Sequence, residues 1–197
     1  MIGVITALIS CGNAETYEPR NGDIIFHTSR SAQSIAIQKA TGSKYSHMGI
    51  VYVRDGKPVV FEAVEPVKMT PLQTWIDRGV DKKYVVKRLK NADELLNSEA
   101  LNRMLQIGKT FQGKHYDLVF GWSDERIYCS ELVWKIYKRA LDLEIGKLQQ
   151  MKEFDLSDPV VKAKLKERYG ENLPLDEWVI SPGTMFESKL LTTVYSN

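Results

Sequence analysis

Tyr128-Cys129-Ser130-Glu131-Leu132-Val133-Trp134 is the stretch from which the fold is read. After Cys129, the residues Leu132, Val133, Ile136, Tyr137 and Ala140 recur at three- and four-residue steps. That spacing predicts a helix running to about Leu143 with one apolar side. Cys129 falls on its first turn. There it meets backbone N–H groups without intrahelical partners and the positive end of the helix dipole, and both stabilise a negatively charged sulfur. A lone cysteine is more often a small buried hydrophobe. A nucleophile needs a base, an orienting group and an oxyanion donor from elsewhere in the chain.

Upstream lies the clearest hairpin. His47–Val53 and Pro58–Val64 flank Arg54-Asp55-Gly56-Lys57, and Asp-Gly between two β-rich runs is a strong hairpin signal. Centring the turn on Asp55-Gly56 pairs residues whose numbers sum to 111. Gly49 then lies opposite Glu62, and Glu62 becomes the diagonal neighbour of His47 on one face. Glu65 has the opposite parity. A carboxylate beside a histidine ring is an orienter–base pair, while an isolated Glu62 in an apolar strand would be costly without a partner. A simpler arrangement pairs Glu62 with an Arg or Lys and leaves His47 as a strand-end residue. Gly49 is expected to leave room for a ring or a substrate. His27 and His115 are expected to be surface or structural residues.

The remaining elements follow from turn and cap residues. Asn21-Gly22-Asp23 leads into a strand at Ile24–His27. Ser29–Thr41 reads as a helix capped by Ser29 or Ser31 and stopped by Gly42. Thr70–Gly79 reads as a short helix with Pro71 in its first turn. Tyr84–Leu89 is a strand, and Asn91 to about Phe111 one long amphipathic helix. Residues 118–128 form an aromatic loop or short strand. A surface helix is expected within Met151–Gly170, and a last helical turn at Thr184–Leu190. The class is α+β: a small antiparallel sheet with helices packed against it.

Composition bounds the rest. The chain has 197 residues, 43% hydrophobic and 26% charged, enough for one globular domain. A net charge of +2, without a basic run, gives no footprint for nucleic acid. No Gly-rich phosphate loop is present, which argues against nucleotide binding. Cys129, His47 and Glu62 would lack a fourth ligand and any ligand-pair spacing as a metal site, so neither metal nor cofactor is expected. Residues 1–16 are set apart as a signal peptide or its remnant, with residues 17–197 as the folded domain. Leu8-Ile9-Ser10-Cys11 resembles a bacterial lipobox, although no Lys or Arg precedes the apolar run. An exported chain, periplasmic or tethered to the membrane through lipidated Cys11, is the expectation. An ordinary N-terminal strand or the tail of a longer signal would read similarly.

Five motifs together carry a family resemblance: Asn21-Gly22-Asp23-Ile24-Ile25-Phe26, Tyr45-Ser46-His47-Met48-Gly49, Val60-Phe61-Glu62-Ala63, Gly113 with Tyr116-Asp117, and Tyr128-Cys129-Ser130-Glu131-Leu132-Val133. They resemble the YiiX/YaeF family, circularly permuted relatives of the NlpC-type papain-like cysteine hydrolases. The permutation shows in chain order, with His47 and Glu62 preceding Cys129. The resemblance implies a permuted papain-like fold, with a small antiparallel sheet or barrel on the cysteine helix. It implies a Cys129–His47–Glu62 triad, with Tyr116 helping to form the oxyanion site. The expected activity is hydrolysis of amide bonds through a thioester, on cell-wall-derived (peptidoglycan) peptides or small amides. A lipid acyltransferase or esterase-like thioester enzyme is the alternative, for which Phe120 and Trp122 hint at an apolar groove. A non-catalytic binding module on the same scaffold is a third reading.

Overall fold

The computed structural model describes residues 16–197. The expectations for the segment 1–15, including lipidation of Cys11, lie outside the described residues. Among the described residues ten strands are formed: β1 Asp23–His27, β2 His47–Arg54, β3 Lys57–Glu62, β4 Lys68–Pro71, β5 Val85–Leu89, β6 His115–Tyr116, β7 Arg126–Ile127, β8 Gln149–Gln150, β9 Trp178–Val179 and β10 Leu191–Ser196. Six of them build one antiparallel sheet in the order β10-β5-β1-β2-β3-β4. The α-helices are α1 Ala32–Thr41, α2 Leu72–Asp77, α3 Ala92–Leu95, α4 Ser98–Phe111, α5 Cys129–Leu141, α6 Pro159–Tyr169 and α7 Pro182–Phe186.

The hairpin forms in the expected register, with Val53 opposite Pro58 and Ile50 opposite Phe61. Asp55 and Gly56 both take positive φ, as a two-residue turn matched to strand twist requires. Strand parity then divides the core. Ile24, Phe26, Met48, Ile50 and Phe61 face α5 in the main core, together with Leu132, Val133, Ile136 and Tyr137. Ile25, Val51, Val60 and Val86 point the other way, onto Leu72, Trp75 and Ile76 of α2. Full burial of each such side chain is worth about 1.5–3 kcal/mol, so the register is fixed from both faces. Helix α5 is central, with Cys129 through Tyr137 all buried, including Lys135, which pairs with Asp124 at 2.9 Å and Glu131 at 2.7 Å.

Several boundaries differ from those read in the sequence. Thr70 and Pro71 end strand β4, and the helix starts only at Leu72 with Pro71 as its cap. The helix expected from Asn91 breaks at Leu96, and α4 restarts behind Asn97, whose side chain accepts from the Ala100 amide at 3.0 Å. The chain end adds an edge strand, β10, beside β5. Helix α6 is the expected surface helix, with Val161 alone fully buried; Asp158 caps it, Pro159 takes its first position, and it packs along α1. Gly49 also has a different role from the one expected. A Cβ there would sit 2.5 Å from Val60 Cγ1 and 2.8 Å from the Phe61 carbonyl oxygen. The glycine is required by close packing of the hairpin and leaves no room for substrate.

Candidate active site

The site forms where the first residue of β2 meets the first residue of α5. His47 Nε2 lies 2.6 Å from Glu62 Oε2, the diagonal contact that the hairpin register predicts. Cys129 lies beside the same imidazole, whose Nε2 is taken up by Glu62. Cys129 is buried, 2% exposed, at the N-terminal end of α5. His47 and Glu62 belong to the α2 side of the sheet, whereas α5 covers the opposite side. The contact is made because His47 ends its strand, so its ring reaches past the sheet edge. Parity alone does not show this.

Glu62 is fully buried and fully partnered. It accepts from Thr70 Oγ1 at 2.6 Å, and Arg78 donates to the same carboxylate oxygen. Both the functional partner and the ordinary Arg partner considered for Glu62 are therefore present. Burial alone would raise the Glu62 carboxyl. The His47 contacts, then Thr70 and Arg78, outweigh it and hold the value down to about 2. Burial by itself would lower His47. Its hydrogen bonds to Cys129 and Glu62 outweigh that and raise it to about 9. The ring is therefore a cation at neutral pH, held between a carboxylate and a sulfur.

Tyr116, from β6, stands beside Cys129 in the same site. Burial, then the neighbouring Cys129, hold its hydroxyl well above the ordinary tyrosine value, so it stays a protonated donor. Two further residues set its position. Gln33 Nε2 donates to Tyr116 Oη at 2.9 Å, and Glu65 Oε2 accepts from the Tyr116 amide at 2.9 Å. Neither was read from the sequence: Gln33 is an isolated amide 83 residues from its partner, and Glu65 was recognised only as pointing away from Glu62.

His27 is more intimate with the site than expected. It pairs with His47 across β1 and β2, is 3% exposed, and packs against Trp75 with ring centroids 4.1 Å apart. Neither ring nitrogen has a hydrogen-bond partner among the described residues. Burial first, then the charged His47, push it down to about 3, so it packs as a neutral ring beneath the site. His115 stays on the surface, paired with Glu65.

Two recesses adjoin beside Tyr116. Cys129 lines an apolar cleft between α1 and α6. His47 lines a second recess, which also holds Ser29, Ser31, Ser46 and Arg78. Gln33, Ile37 and Tyr116 line both.

An α+β scaffold with a cysteine at the head of a central helix, and a histidine–glutamate pair on the adjoining sheet, defines the papain-like class of cysteine hydrolases. The histidine strand precedes the cysteine helix here, the permuted order. Residues 18–195 match the family described as "Permuted papain-like amidase enzyme, YaeF/YiiX, C92 family", and the chain belongs to that family. It is 51% identical over 191 residues to the uncharacterized protein YiiX of Escherichia coli strain K12, covering 97% of this chain and 93% of that protein. It is also similar to a crystal structure described as the metalloprotein YiiX of Escherichia coli O157:H7. That similarity has a TM-score of 0.87 and 53% identity, over 92% of this chain and 99% of the other.

The description of that relative raises the question of a metal. Among the described residues, no group of three or more His, Cys, Asp or Glu side chains is placed to hold a metal ion. His47 and Glu62 are hydrogen-bonded to each other at 2.6 Å.

Proposed function

We propose that this chain cleaves amide bonds with Cys129 as nucleophile, His47 as general base and acid, Glu62 as the group that orients His47, and Tyr116 as an oxyanion donor. The observation that carries the reading is the hydrogen-bonded series from Thr70 and Arg78 through Glu62 to His47, whose ring lies beside Cys129. With the proton already held on the His47 ring, the Cys129 sulfur attacks the carbonyl carbon. The resulting oxyanion is met by the Tyr116 hydroxyl and by the Cys129 backbone N–H, which has no intrahelical acceptor at this helix position. Collapse breaks the C–N bond, and His47 returns its proton to the departing amine. Water, deprotonated by His47, then attacks the thioester and releases the acid and the free thiol. Gln33 donates to Tyr116 Oη, which leaves the tyrosine proton for the oxyanion.

Cys129→Ala tests this. Loss of turnover with unchanged thermal unfolding supports it, and full activity in that variant ends it. A second reading, a thioester enzyme acting on acyl lipids, is favoured by one observation, the apolar cleft that opens on Cys129. Peptidoglycan peptides, the substrate expected from the resemblance, present polar groups on both sides of the scissile bond and match that cleft less well. Export and a tether through Cys11 remain part of the proposed setting.

A further inference from the structure

We infer that the recess lined by His47 is a binding subsite for an oxyanion group, and that the leaving group of the substrate carries a carboxylate or phosphate into it. The second half rests on Cys129 and His47 acting as proposed above. The acyl carbon stays bonded to the Cys129 sulfur as the C–N bond breaks, and the departing nitrogen takes its proton from His47. The departing amine therefore lies on the His47 side of the site, where this recess opens.

Positive potential reaches the recess from three elements. Helix α1 begins against it, with Ser31 as its cap and Gln33 and Ser34 in its first turn, so the positive end of a ten-residue helix dipole adjoins the space. Arg78, just after α2, donates from Nη2 to Glu62, yet its side chain is 40% exposed, so part of its guanidinium fork stays open on the recess wall. The His47 imidazolium is the third. One buried carboxylate, Glu62, is shared by the two cations His47 and Arg78, which leaves a surplus of positive charge. The rim carboxylate, Glu65, is already engaged by the His115 ring and the Tyr116 amide.

Hydrogen-bond donors converge on the same space. Ser29 and Ser31 Oγ lie 3.2 Å apart and share one hydrogen bond, so one of their two hydroxyl protons is left to donate. The hydroxyls of Ser34 and Ser46 bond to each other. His27 is the independent sign of a missing partner. It lines this recess, is 3% exposed, and neither ring nitrogen has a hydrogen-bond partner among the described residues. A neutral imidazole carries one N–H, and a buried donor without an acceptor is costly. An oxyanion seated among His27, Ser29 and Arg78 supplies that acceptor, whereas a cationic head group would meet His47 and Arg78. Phe120 lines the apolar cleft on the other side of Tyr116, and Trp122 packs against Trp134, so neither lines this recess.

The test has a binding arm and a turnover arm. In the first, the ring C–H resonances of His27 and His47 are followed by NMR in Cys129→Ala as acetate, inorganic phosphate or neutral acetamide is added at constant pH and ionic strength. At least one anion is expected to shift both resonances saturably and acetamide to shift neither. Arg78→Gln in the same background should weaken anion affinity by about tenfold or more. In the second arm, acetate release by the native protein is compared for N-acetylglycine, N-acetylethanolamine and the phosphate ester of N-acetylethanolamine. At least one anionic compound should exceed neutral N-acetylethanolamine by about tenfold in kcat/KM, and Ser29→Ala should lower that ratio by about threefold or more. A response to the phosphates alone assigns a phosphorylated leaving group, and a response to the carboxylates alone a carboxylic one. No saturable shift with either anion, or no preference for an anionic over the neutral compound, overturns the subsite; it leaves the hydrolase reading standing where turnover is lost in Cys129→Ala. Undiminished turnover in Cys129→Ala overturns the hydrolase reading and the leaving-group assignment with it.

Discussion

Replacing Glu62 by Gln keeps the shape of a fully buried side chain and removes its charge. In the native protein the His47 imidazolium persists to about pH 9, because its bonds to Cys129 and Glu62 outweigh the burial that opposes charge. A rise from 6.5 to about 9 corresponds to about 3 kcal/mol in favour of the charged ring. Glu62 supplies one of the two opposing contacts, so Glu62→Gln should lower the His47 titration by about one unit or more. The chain has only three histidines, His27, His47 and His115, so their ring C–H resonances can be followed individually by NMR. The expected native record has His47 changing near pH 9 and His27 staying neutral down to about pH 3. A native His47 midpoint near 6.5, or one unmoved in Glu62→Gln, would refute the reasoning. The stability linkage has a definite sign. The folded His47 value is raised, so its contribution is complete below about pH 6.5 and is lost as pH rises through about 9. The folded Glu62 value is depressed, so its contribution is present above about pH 4.5 and is lost as pH falls through about 2. Both describe one interaction and do not add. Urea unfolding should show greatest stability from this pair between those limits, and Glu62→Gln should flatten both shoulders.

Other substitutions separate the parts of the site. Tyr116→Phe should lower kcat/KM by about 10²–10³ while leaving the His47 titration in place, since it removes only the oxyanion donor. Arg78→Ala should cost no more than about 1 kcal/mol in urea unfolding, because the guanidinium it removes is 40% exposed. Thr70→Val should cost about 1–2 kcal/mol, because it takes a hydrogen bond from the fully buried Glu62 carboxylate. Gly49→Ala should destabilise by about 1–3 kcal/mol in the same assay, since its Cβ would press on Val60 and on the Phe61 carbonyl.

What was legible beforehand is what local rules govern. The Asp55-Gly56 turn dictated the register, and the register brought Glu62 to His47. Ser31 and Gly42 bound α1 as cap and stop residues do, and a surface helix forms within Met151–Gly170. Missed features depend on partners remote in sequence. Strand β10 exists because β5 offers an edge at Leu89 and Arg88. The break at Leu96 follows from Asn97 as a second cap, a signal present in the sequence but overridden by the longer apolar period. Gln33, Arg78 and Thr70 are single polar residues whose roles arise only once the sheet and α2 fold around Glu62. The apolar cleft needed α1 and α6 to meet, and neither helix reveals that partner from its own periodicity.

The central claim is that Cys129 forms the covalent intermediate. Acid-quenched samples of the native protein and of Cys129→Ala, mixed with p-nitrophenyl acetate, can be compared by intact mass and peptide mapping. The account predicts one acetyl group on the peptide holding Cys129 in the native protein, a burst of one p-nitrophenol per chain, and neither in Cys129→Ala. An acetyl group on a different residue, or a burst that persists in Cys129→Ala, would contradict it.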